Sequence, residues 1–354
     1  MAKKIFRVIG IIILALVILA AAFLLFMTLA EYRPDSVELV LPEYKDTSKT
    51  LNTGDSLTLL SWNIGYAGLG SGSDFFMDGG ENVRSADKDT VQSYLDGIYD
   101  TVYNGDGKSD IYMFQEVDEN SSRTYHISER AALGALTNTF ALNFNVKFVP
   151  YPIPPIGTVK SGLMTASNYS IESARRVSLP CPFSWPTRTA NLKRCLLANY
   201  IPLQDSDKYL VVVDLHLEAY DSGEGKVAQT NMLKQFIKAE YDKGNYVIAG
   251  GDFNQEFPGA LETYPNTHPD LWSPGTLDDS MIPSGWSFAY DTSSPSCRLL
   301  NQPYDPSDTA NTQYYVIDGF ILSPNVKLET VKTLDEGFKN SDHNPVQIKV
   351  TLEK

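Results

Sequence analysis

The feature that most constrains this chain is a run at residues 8–30 that contains no charged residue. Ile, Leu, Val, Ala and Phe dominate the run, which is long enough to cross a hydrocarbon core of about 30 Å as a helix. The sequence therefore predicts one transmembrane helix over residues 8–30, preceded by a short basic cytoplasmic segment at residues 1–7.

The charges on the two sides of this run differ in sign: Lys3, Lys4 and Arg7 precede it, and Glu31, Asp35 and Glu38 follow it. The positive-inside tendency places the N-terminus in the cytoplasm and the rest of the chain outside, as a single-pass protein of the cell membrane. The alternative is a signal peptide that is cleaved near Ala30, which would give a secreted protein. The run is longer than the usual signal core of about 7 to 15 residues, which favours an uncleaved anchor.

The remainder divides into two parts. Residues 31–55 are polar, contain Pro34, Pro42 and Gly54, and show no sustained period, so they are predicted to form a linker. Strand-like and helix-like stretches then alternate through residues 56–354, which predicts one folded domain. A hydrophobic fraction of 43% with 20% charged residues is typical of a globular protein with an ample core.

Strands outnumber helices in this domain. Amphipathic or helix-like patterns occupy residues 88–102, 128–138 and 226–241, and Val227, Met232, Phe236 and Ile237 form the expected apolar side of the last helix. Strands are predicted at residues 57–64, 111–114, 145–149, 162–166, 195–201, 209–215, 246–249, 314–322 and 346–352. Such a pattern favours two sheets packed face to face with helices outside. Residues 257–306 have almost no period, which indicates a functional insertion or small elements.

Polar residues interrupt or end the predicted strands in six places. The runs are Trp-Asn-Ile at 62–64, Gln-Glu-Val at 115–117, Asp-Leu-His-Leu at 214–217, Gly-Asp-Phe-Asn at 251–254, Ile-Asp-Gly-Phe-Ile at 317–321 and Ser-Asp-His at 341–343. Any one of them would be more typical of a turn. Together and in this order, they resemble the endonuclease/exonuclease/phosphatase superfamily, whose fold is similar to that of deoxyribonuclease I. The resemblance extends from Leu57 to the C-terminus.

The resemblance implies an α/β (α+β) fold, a four-layer α-β-β-α sandwich of two packed mixed sheets. It also implies metal-dependent hydrolysis of a phosphodiester or phosphomonoester by attack of water. Asn63, Glu116 and Asp342 match the positions at the metal site of the family. Their oxygen atoms suit Mg²⁺, with Mn²⁺ as a possible substitute.

Five further residues match catalytic positions of the family. The resemblance gives Asp252 the task of positioning and deprotonating the water, and Asn254 that of binding the developing charge. His216 would bind or protonate the phosphate, although a histidine within an apolar strand is also typical of a core. Asp318 would hold the ring of His343 and raise its pKa. No Gly-x-Ser-x-Gly run or Gly-rich phosphate loop indicates a competing mechanism.

The nature of the substrate stays open. A formal charge of -14 disfavours a nucleic-acid partner. Arg188 and Arg194 belong to a basic cluster that would bind phosphate or solvate a loop. An apolar loop at residues 75–77 would dip into a bilayer or fold back on the core. These observations favour a membrane-tethered, exported phosphoesterase acting on a lipid headgroup or a small phosphoester. An exported nuclease and an inactive extracellular binding module are the alternatives, and no protein partner is inferred.

The three cysteines lack the C-x-x-C spacing of a structural zinc site. Cys181 and Cys195 flank one short segment and would be either bridged or free.

Overall fold

The computed structural model describes residues 2–45, 49–221, 223–308 and 310–354. The α-helices in these ranges are α1 (Ala2–Leu29), α2 (Lys88–Tyr99), α3 (Glu129–Leu133), α4 (Glu224–Tyr241) and α5 (Ala260–Thr263). The strands are β1 (Val37–Val40), β2 (Ser56–Asn63), β3 (Ile111–Asp118), β4 (Thr137–Val149), β5 (Gly157–Ser167), β6 (Ser173–Ser178), β7 (Cys195–Pro202), β8 (Tyr209–His216), β9 (Tyr246–Asp252), β10 (Gln255–Glu256), β11 (Gly275–Thr276), β12 (Ser287–Ala289), β13 (Cys297–Arg298), β14 (Tyr314–Tyr315), β15 (Asp318–Leu322), β16 (Val326–Thr333) and β17 (Val346–Leu352).

Two large sheets form the centre of the fold. One has the order β1-β6-β7-β8-β9-β15-β12 and the other has the order β16-β17-β2-β3-β5-β4. Each sheet is mixed, because β8 and β9 are parallel in the first and β2 and β3 in the second, while their other neighbours are antiparallel.

The strands at the centre of each sheet bury both faces. In β8, Leu210 and Val212 face the opposite sheet, whereas Val211 and Val213 face the side covered by α4. Alternate residues of a strand point to opposite faces, so an uninterrupted apolar run serves both layers. Helices α2 and α3 cover the other sheet in the same way. The predicted four-layer sandwich is therefore confirmed.

Helix α2 shows how the sequence sets these outer layers. Asp87 caps it, since its Oδ1 accepts a hydrogen bond from the backbone N–H of Thr90 at 2.8 Å. Val91, Leu95 and Ile98 recur at helical spacing and are buried against the sheet.

Some predicted elements differ from the structure. In α4, Leu233 and Ile237 are buried, but Val227, assigned to the apolar side, is 51% exposed. The helix predicted at 128–138 ends at Leu133, because Thr137 and the residues after it pair with β5. The strand predicted at 314–322 is divided into β14 and β15. The stretch at 257–306 contains short elements, among them α5, β11, β12 and β13.

The segment predicted as a linker is part of the domain over much of its length. Strand β1 pairs with β6 in antiparallel register, from Val37 opposite Val177 to Val40 opposite Ala174. Leu51 is 1% exposed in the core between the sheets. Residues 46–48 of the predicted linker lie outside the described residues.

The N-terminal apolar run forms helix α1. Over Lys3–Leu29 it is long and apolar enough to cross a membrane, although a signal sequence would meet the same criteria. Cys181 is exposed and Cys195 and Cys297 are buried, and all three are free thiols in the structure.

Candidate active site

Strand register places three of the predicted catalytic residues side by side. Asp252 is the last residue of β9, where it pairs with His216 of the parallel strand β8 and with Asp318 of the antiparallel strand β15. All three lie on the face of the sheet that looks toward the other sheet, because they keep the two-residue period of the core positions in their own strands. The site therefore begins at one end of the core.

The opposite sheet contributes its residues at the same end. Asn63 ends β2, and its Nδ2 donates to Glu116 Oε1 at 3.1 Å and to Asp252 Oδ2 at 2.9 Å. Its Oδ1 accepts the backbone N–H of Gly65 at 3.1 Å. Asn63 thus links the carboxylates of the two sheets, and its amide oxygen accepts a backbone hydrogen bond.

Two of the site residues have a left-handed backbone. Glu116 has a φ of 57° and Asn254 a φ of 50°. The register between β3 and β5 shifts between Phe114 and Val117, which is a bulge around Glu116. Such conformations cost roughly 1 to 3 kcal/mol each and persist only where the surrounding structure holds them. Glu116 lies within β3, and Asn254 lies between β9 and β10.

Asp318 and His343 form a buried hydrogen-bonded pair. His343 Nδ1 lies 2.8 Å from Asp318 Oδ2, which also accepts the hydroxyl of Ser296 at 2.8 Å. With Nδ1 facing the carboxylate, Nε2 of the ring faces Asp252 Oδ2 at 3.9 Å. The Nε2 atom of His216 approaches the same Asp252 oxygen at 3.5 Å. Two imidazoles therefore flank one carboxylate.

Burial and neighbouring charges set different protonation states for these groups. Burial, reinforced by the charge of Asp318, raises the pKa of Asp252 to about 7. Burial lowers the pKa of His216 well below its ordinary value, and the charge of Arg194 adds to this. Burial is the largest single influence on His343 and opposes its charged form. The charge and hydrogen bond of Asp318, with contributions from Cys297 and Asp342, together outweigh burial, so the pKa of His343 lies well above its ordinary value. A neutral and a cationic imidazole thus lie side by side near pH 7.

His216, Asp252 and His343 line a cavity of about 420 Å³, whereas Asn63 and Asp318 lie behind its lining residues. Its floor is polar, and the residues there include Glu116, His216, Asp252, Asn254, Asp342 and His343. Its walls are largely apolar and aromatic, and they include Tyr66, Leu69, Phe75, Phe76, Met77, Phe144, Val149, Tyr151, Ile156, Phe183, Tyr220 and Trp272. The loop at 75–77 therefore contributes to the lining of the cavity, with Met77 44% exposed.

The predicted substrate arginines are placed differently from each other. Arg194 lines the cavity, where its Nε donates to Glu218 Oε2 at 3.2 Å and its Nη1 to the carbonyl of His216 at 3.1 Å. Arg188 is outside the residues that line the cavity, and its Nε lies 3.3 Å from Glu31. Of the two, the structure brings only Arg194 to the candidate site.

Several cavity residues were not predicted from the sequence. Arg123 lies 3.6 Å from the ring centre of Tyr66 and donates to Asp118 from Nε at 3.1 Å and from Nη2 at 2.9 Å. Tyr220 donates to Asp78 Oδ1 at 3.0 Å across the cavity wall. Asp118 directly follows the motif at 115–117, and this motif was the one sequence pattern near Arg123. Asp78 and Tyr220 lie in loops, where no sequence pattern indicated a functional residue.

A sequence model of the endonuclease/exonuclease/phosphatase family matches residues 60–343, which contain every predicted site residue. The chain belongs to this family. Members of the endonuclease/exonuclease/phosphatase family are hydrolases that act on phosphate ester bonds.

Individual members of the family differ in how closely they match. Sphingomyelinase C of Bacillus cereus is 27% identical over 176 residues, which are 43% of this chain and 51% of the relative. The chain thus spans about half the length of this curated relative.

Solved structures of family members share the fold at low identity. A family protein from Bacteroides vulgatus has a TM-score of 0.53 and 15% identity, covering 84% of this chain and all of the other. TDP2 from Caenorhabditis elegans has a TM-score of 0.52 and 16% identity, covering 85% and 76%. The human Nocturnin catalytic domain has a TM-score of 0.50 and 16% identity, covering 86% and 95%.

Enzymes of this family typically depend on a divalent metal, and the site offers ligands for one. Ligand atoms of Asp252, Asp318 and His343 lie within 4.8 Å of one another, which makes this group a possible metal site. However, the 2.8 Å hydrogen bond between His343 and Asp318 already occupies one atom of each. Glu116 and Asp342 present carboxylates to the same cavity, and burial, with Glu116 adding to it, raises the pKa of Asp342 to about 6. A divalent cation would relieve this repulsion, so the two carboxylates fit one.

Proposed function

We propose that this protein is a membrane-tethered, exported phosphodiesterase that hydrolyses the phosphate ester of a membrane lipid. The observation that carries the proposal is the composition of the cavity. Its floor holds the acid, amide and imidazole groups that phosphoester hydrolysis requires, and its walls are largely apolar. A phosphate attached to an apolar group fits such a site better than a polyanion does.

The positions of the residues support the following roles. Asp252, with its pKa near 7, accepts the proton of the attacking water, and Asn63 holds its carboxylate in place. The cationic His343, oriented by Asp318, offsets negative charge on the phosphate oxygens. Asn254 and the neutral His216 donate hydrogen bonds to the same oxygens.

Glu116 and Asp342 would hold the divalent metal. Bound there, Mg²⁺ or Mn²⁺ would supply positive charge next to the phosphate. Asn63 lies beside them and would orient Glu116, since its Nδ2 donates to Glu116 Oε1.

A lipid substrate has two supports besides the cavity walls. The first is the similarity to a sphingomyelinase, which by its name acts on a membrane lipid. The second is helix α1, which would keep the domain at a membrane. A nuclease has less support, because the net charge is -14 and the cavity arginines are engaged by other groups of the protein. Arg123 contacts Asp118, Arg194 contacts Glu218, and Arg298 donates to the carbonyls of Gly70 and Ser73.

The substrate is tested with the full chain in lipid vesicles and Mg²⁺ or Mn²⁺. Sphingomyelin, other phospholipids, plasmid DNA, inositol phosphates and bis-p-nitrophenyl phosphate are offered in parallel. We expect hydrolysis of a phospholipid, a loss of at least about 100-fold in His343→Ala, and no loss in the control His268→Ala, whose ring lies outside the cavity residues.

Two results would contradict the proposal. Cleavage of DNA with phospholipids untouched would identify a nuclease. Failure to hydrolyse any of these phosphoesters would favour an inactive binding module.

Export is tested through the cysteines, since Cys181 is exposed while Cys195 and Cys297 are buried. A maleimide that cannot cross membranes should label intact cells that carry the wild-type chain, and should not label the Cys181→Ser variant. Labelling that requires lysis of the cells would place the domain in the cytoplasm.

A further inference from the structure

The last two turns of α1 pack against the catalytic domain. Met27 is 4% exposed and packs in one cluster with Val146, Val149 and Val159 of β4 and β5. One turn earlier, the ring of Phe23 meets that of Phe148 edge to face, with 6.3 Å between their centres. The helix therefore reaches the domain before it ends.

The residues that follow are also fixed. Trp185 Nε1 donates to Thr28 Oγ1 at 3.0 Å. The side chain of Glu31 is 3% exposed and lies 3.3 Å from Arg188 and 3.1 Å from Lys193. The helix end is thus held by the β4–β5 hairpin on one side and by residues 185–193 on the other, with no free chain between helix and domain.

The candidate active site adjoins this helix end. Val149, Ile156 and Ala190 pack in or against the cluster that contains Met27, and the same three residues line the cavity. Any membrane crossed by α1 would therefore lie beside this side of the cavity.

Exposed apolar side chains gather at the same place. Residues 150–156, here called the hairpin tip, join β4 to β5 and carry Tyr151, 70% exposed, and Ile153, 87% exposed. Trp185 is 52% exposed beside Thr28. Tyr151 also contacts Phe76 of the cavity wall at 6.2 Å between ring centres. Isolated exposed apolar residues are common on protein surfaces. Three such residues beside the end of an apolar helix are typical of a region that lies at a membrane interface.

The depth of the hairpin tip follows from the helix geometry. Phe23 lies four residues before Met27, which is about 6 Å along a helix. Because Phe148 contacts Phe23, the tip that begins two residues later lies at the level of the last apolar turns of α1. In a bilayer this is the level at which the hydrocarbon meets the headgroups.

We propose that the hairpin tip and Trp185 form a membrane-contact surface whose partner is the bilayer crossed by α1. This surface holds the cavity against the headgroup layer, so that a lipid phosphoester enters from the membrane without passing through water. The inference rests on the proposed function and specifies where the substrate comes from.

A first experiment tests the surface without any use of activity. The full chain with Cys181→Ser and Ile153→Cys is labelled with a polarity-sensitive NBD fluorophore in phosphatidylcholine vesicles. The matched control carries Cys181→Ser and Val227→Cys, because Val227 is an exposed residue of α4. We expect a blue-shifted label at position 153 that is shielded from dithionite, and a water-like label at 227. A water-like label at 153 would overturn the proposal. So would shielding that grows with the protein-to-lipid ratio, since this would indicate a second copy.

A second experiment connects the surface to catalysis. Ile153→Asp places a charge at the membrane interface, and Ile153→Leu retains the apolar contact. We expect the aspartate variant to hydrolyse phospholipid in vesicles about tenfold more slowly, while its rate on soluble bis-p-nitrophenyl phosphate stays within twofold of wild type. Ile153→Leu and the control Leu261→Asp, at another exposed apolar position, should match wild type on both substrates.

The outcomes separate the two proposals. Equal vesicle rates for Ile153→Asp and wild type, or equal losses on both substrates, would contradict the membrane-contact surface. A wild-type chain that hydrolyses neither substrate would contradict the proposed function, and the fluorescence experiment would still decide the surface.

Discussion

Asp252 is the residue that connects most of the candidate site. Its Oδ2 accepts from Asn63 and lies near both His216 and His343, while its Oδ1 accepts the backbone N–H of Asn254 at 2.8 Å. One carboxylate thus joins the two sheets and both imidazoles. This position follows from strand pairing, because Asp252 ends β9 between β8 and β15.

Replacing this carboxylate by an amide should affect catalysis far more than folding. We expect Asp252→Asn to lower kcat by roughly 10² to 10⁴, the range typical of a lost general base, with little change in KM. Steady-state kinetics on a soluble phosphodiester measure the effect. The control is Asp207→Asn, whose side chain is 85% exposed, and it should behave as wild type. Normal turnover in Asp252→Asn would disprove the role proposed for Asp252.

Glu256 provides a pH-dependent test outside the site. It is 2% exposed, neither of its carboxylate oxygens has a hydrogen-bond partner in the described structure, and burial raises its pKa to about 7 from an ordinary value of 4.5. The folded state therefore binds this proton more tightly than the unfolded chain. The resulting stabilisation is fully present below pH 4.5 and is lost as the pH rises through 7.

We therefore expect Glu256→Gln to stabilise the protein at pH 8, by on the order of 1 to 2 kcal/mol after allowance for solvent screening, and to have little effect near pH 4.5. Thermal unfolding at the two pH values measures the difference. The exposed Glu262→Gln should show no such pH dependence. An equal effect of Glu256→Gln at both pH values would mean that the charge is not the cause.

Among single residues, those that end apolar strands were predictable and those held by distant contacts were not. Asp318 and His343 could be predicted as site residues because each stands in a short polar run beside a strand. Arg123 was missed because its position depends on Asp118 and on the ring of Tyr66, which no local pattern relates to it. The exclusion of Arg188 from the cavity residues depends in the same way on its ion pair with Glu31.

At the scale of elements, the close contact between β8 and β9 sets the geometry of the site. Gly251 has a φ of 145°, and a Cβ built on it would lie 1.9 Å from the carbonyl oxygen of Leu215. The two strands can therefore approach at this point only with glycine, and the pairing of His216 with Asp252 depends on that approach.

Gly251→Ala should push these strands apart. We expect a loss of about 2 to 3 kcal/mol in stability together with a loss of activity, since overpacking moves the backbone at the site. Gly259→Ala is the control, because its φ is 78° but a Cβ there would have no atom within 4 Å. It should cost only about 1 kcal/mol and leave kcat unchanged. Thermal unfolding and kinetics distinguish the two, and equal behaviour would show that the clash at Leu215 is unimportant.

The elements predicted well are those whose own sequence is sufficient to indicate their secondary structure. Central strands such as β8 and β9 are buried on both faces, so they appear as continuous apolar runs. Strand β1 was missed because it is only four residues long, lies in a segment without a sustained period, and is fixed as a strand by pairing with β6. The start of β4 was missed because residues up to 138 carry a helical pattern, which pairing with β5 overrides.

For the molecule as a whole, the formal net charge is -14 and the site contains buried carboxylates, which favours the binding of cations. We expect Mg²⁺ or Mn²⁺ to raise the thermal midpoint of the wild-type protein. At 100 times the Kd the stabilisation would be roughly 2.7 kcal/mol, or roughly 5 to 10 °C.

Glu116→Gln should remove this shift and the metal-dependent activity together. Glu119→Gln is the control, since Glu119 pairs with Arg130 and Lys160 outside the cavity residues, and it should keep both. Addition of EDTA should abolish hydrolysis by the wild-type protein, and fresh metal should restore it. A metal-induced shift that survives in Glu116→Gln would place the ion elsewhere.

The absence of free chain between α1 and the domain has a consequence for kinetics. On the proposed membrane, an enzyme without a flexible tether searches for substrate only by lateral diffusion, in two dimensions and at a fixed height. Its turnover should then follow the mole fraction of substrate within the surface. Diluting the vesicles would leave the rate per enzyme unchanged, whereas diluting the substrate lipid with an inert lipid would lower it in proportion.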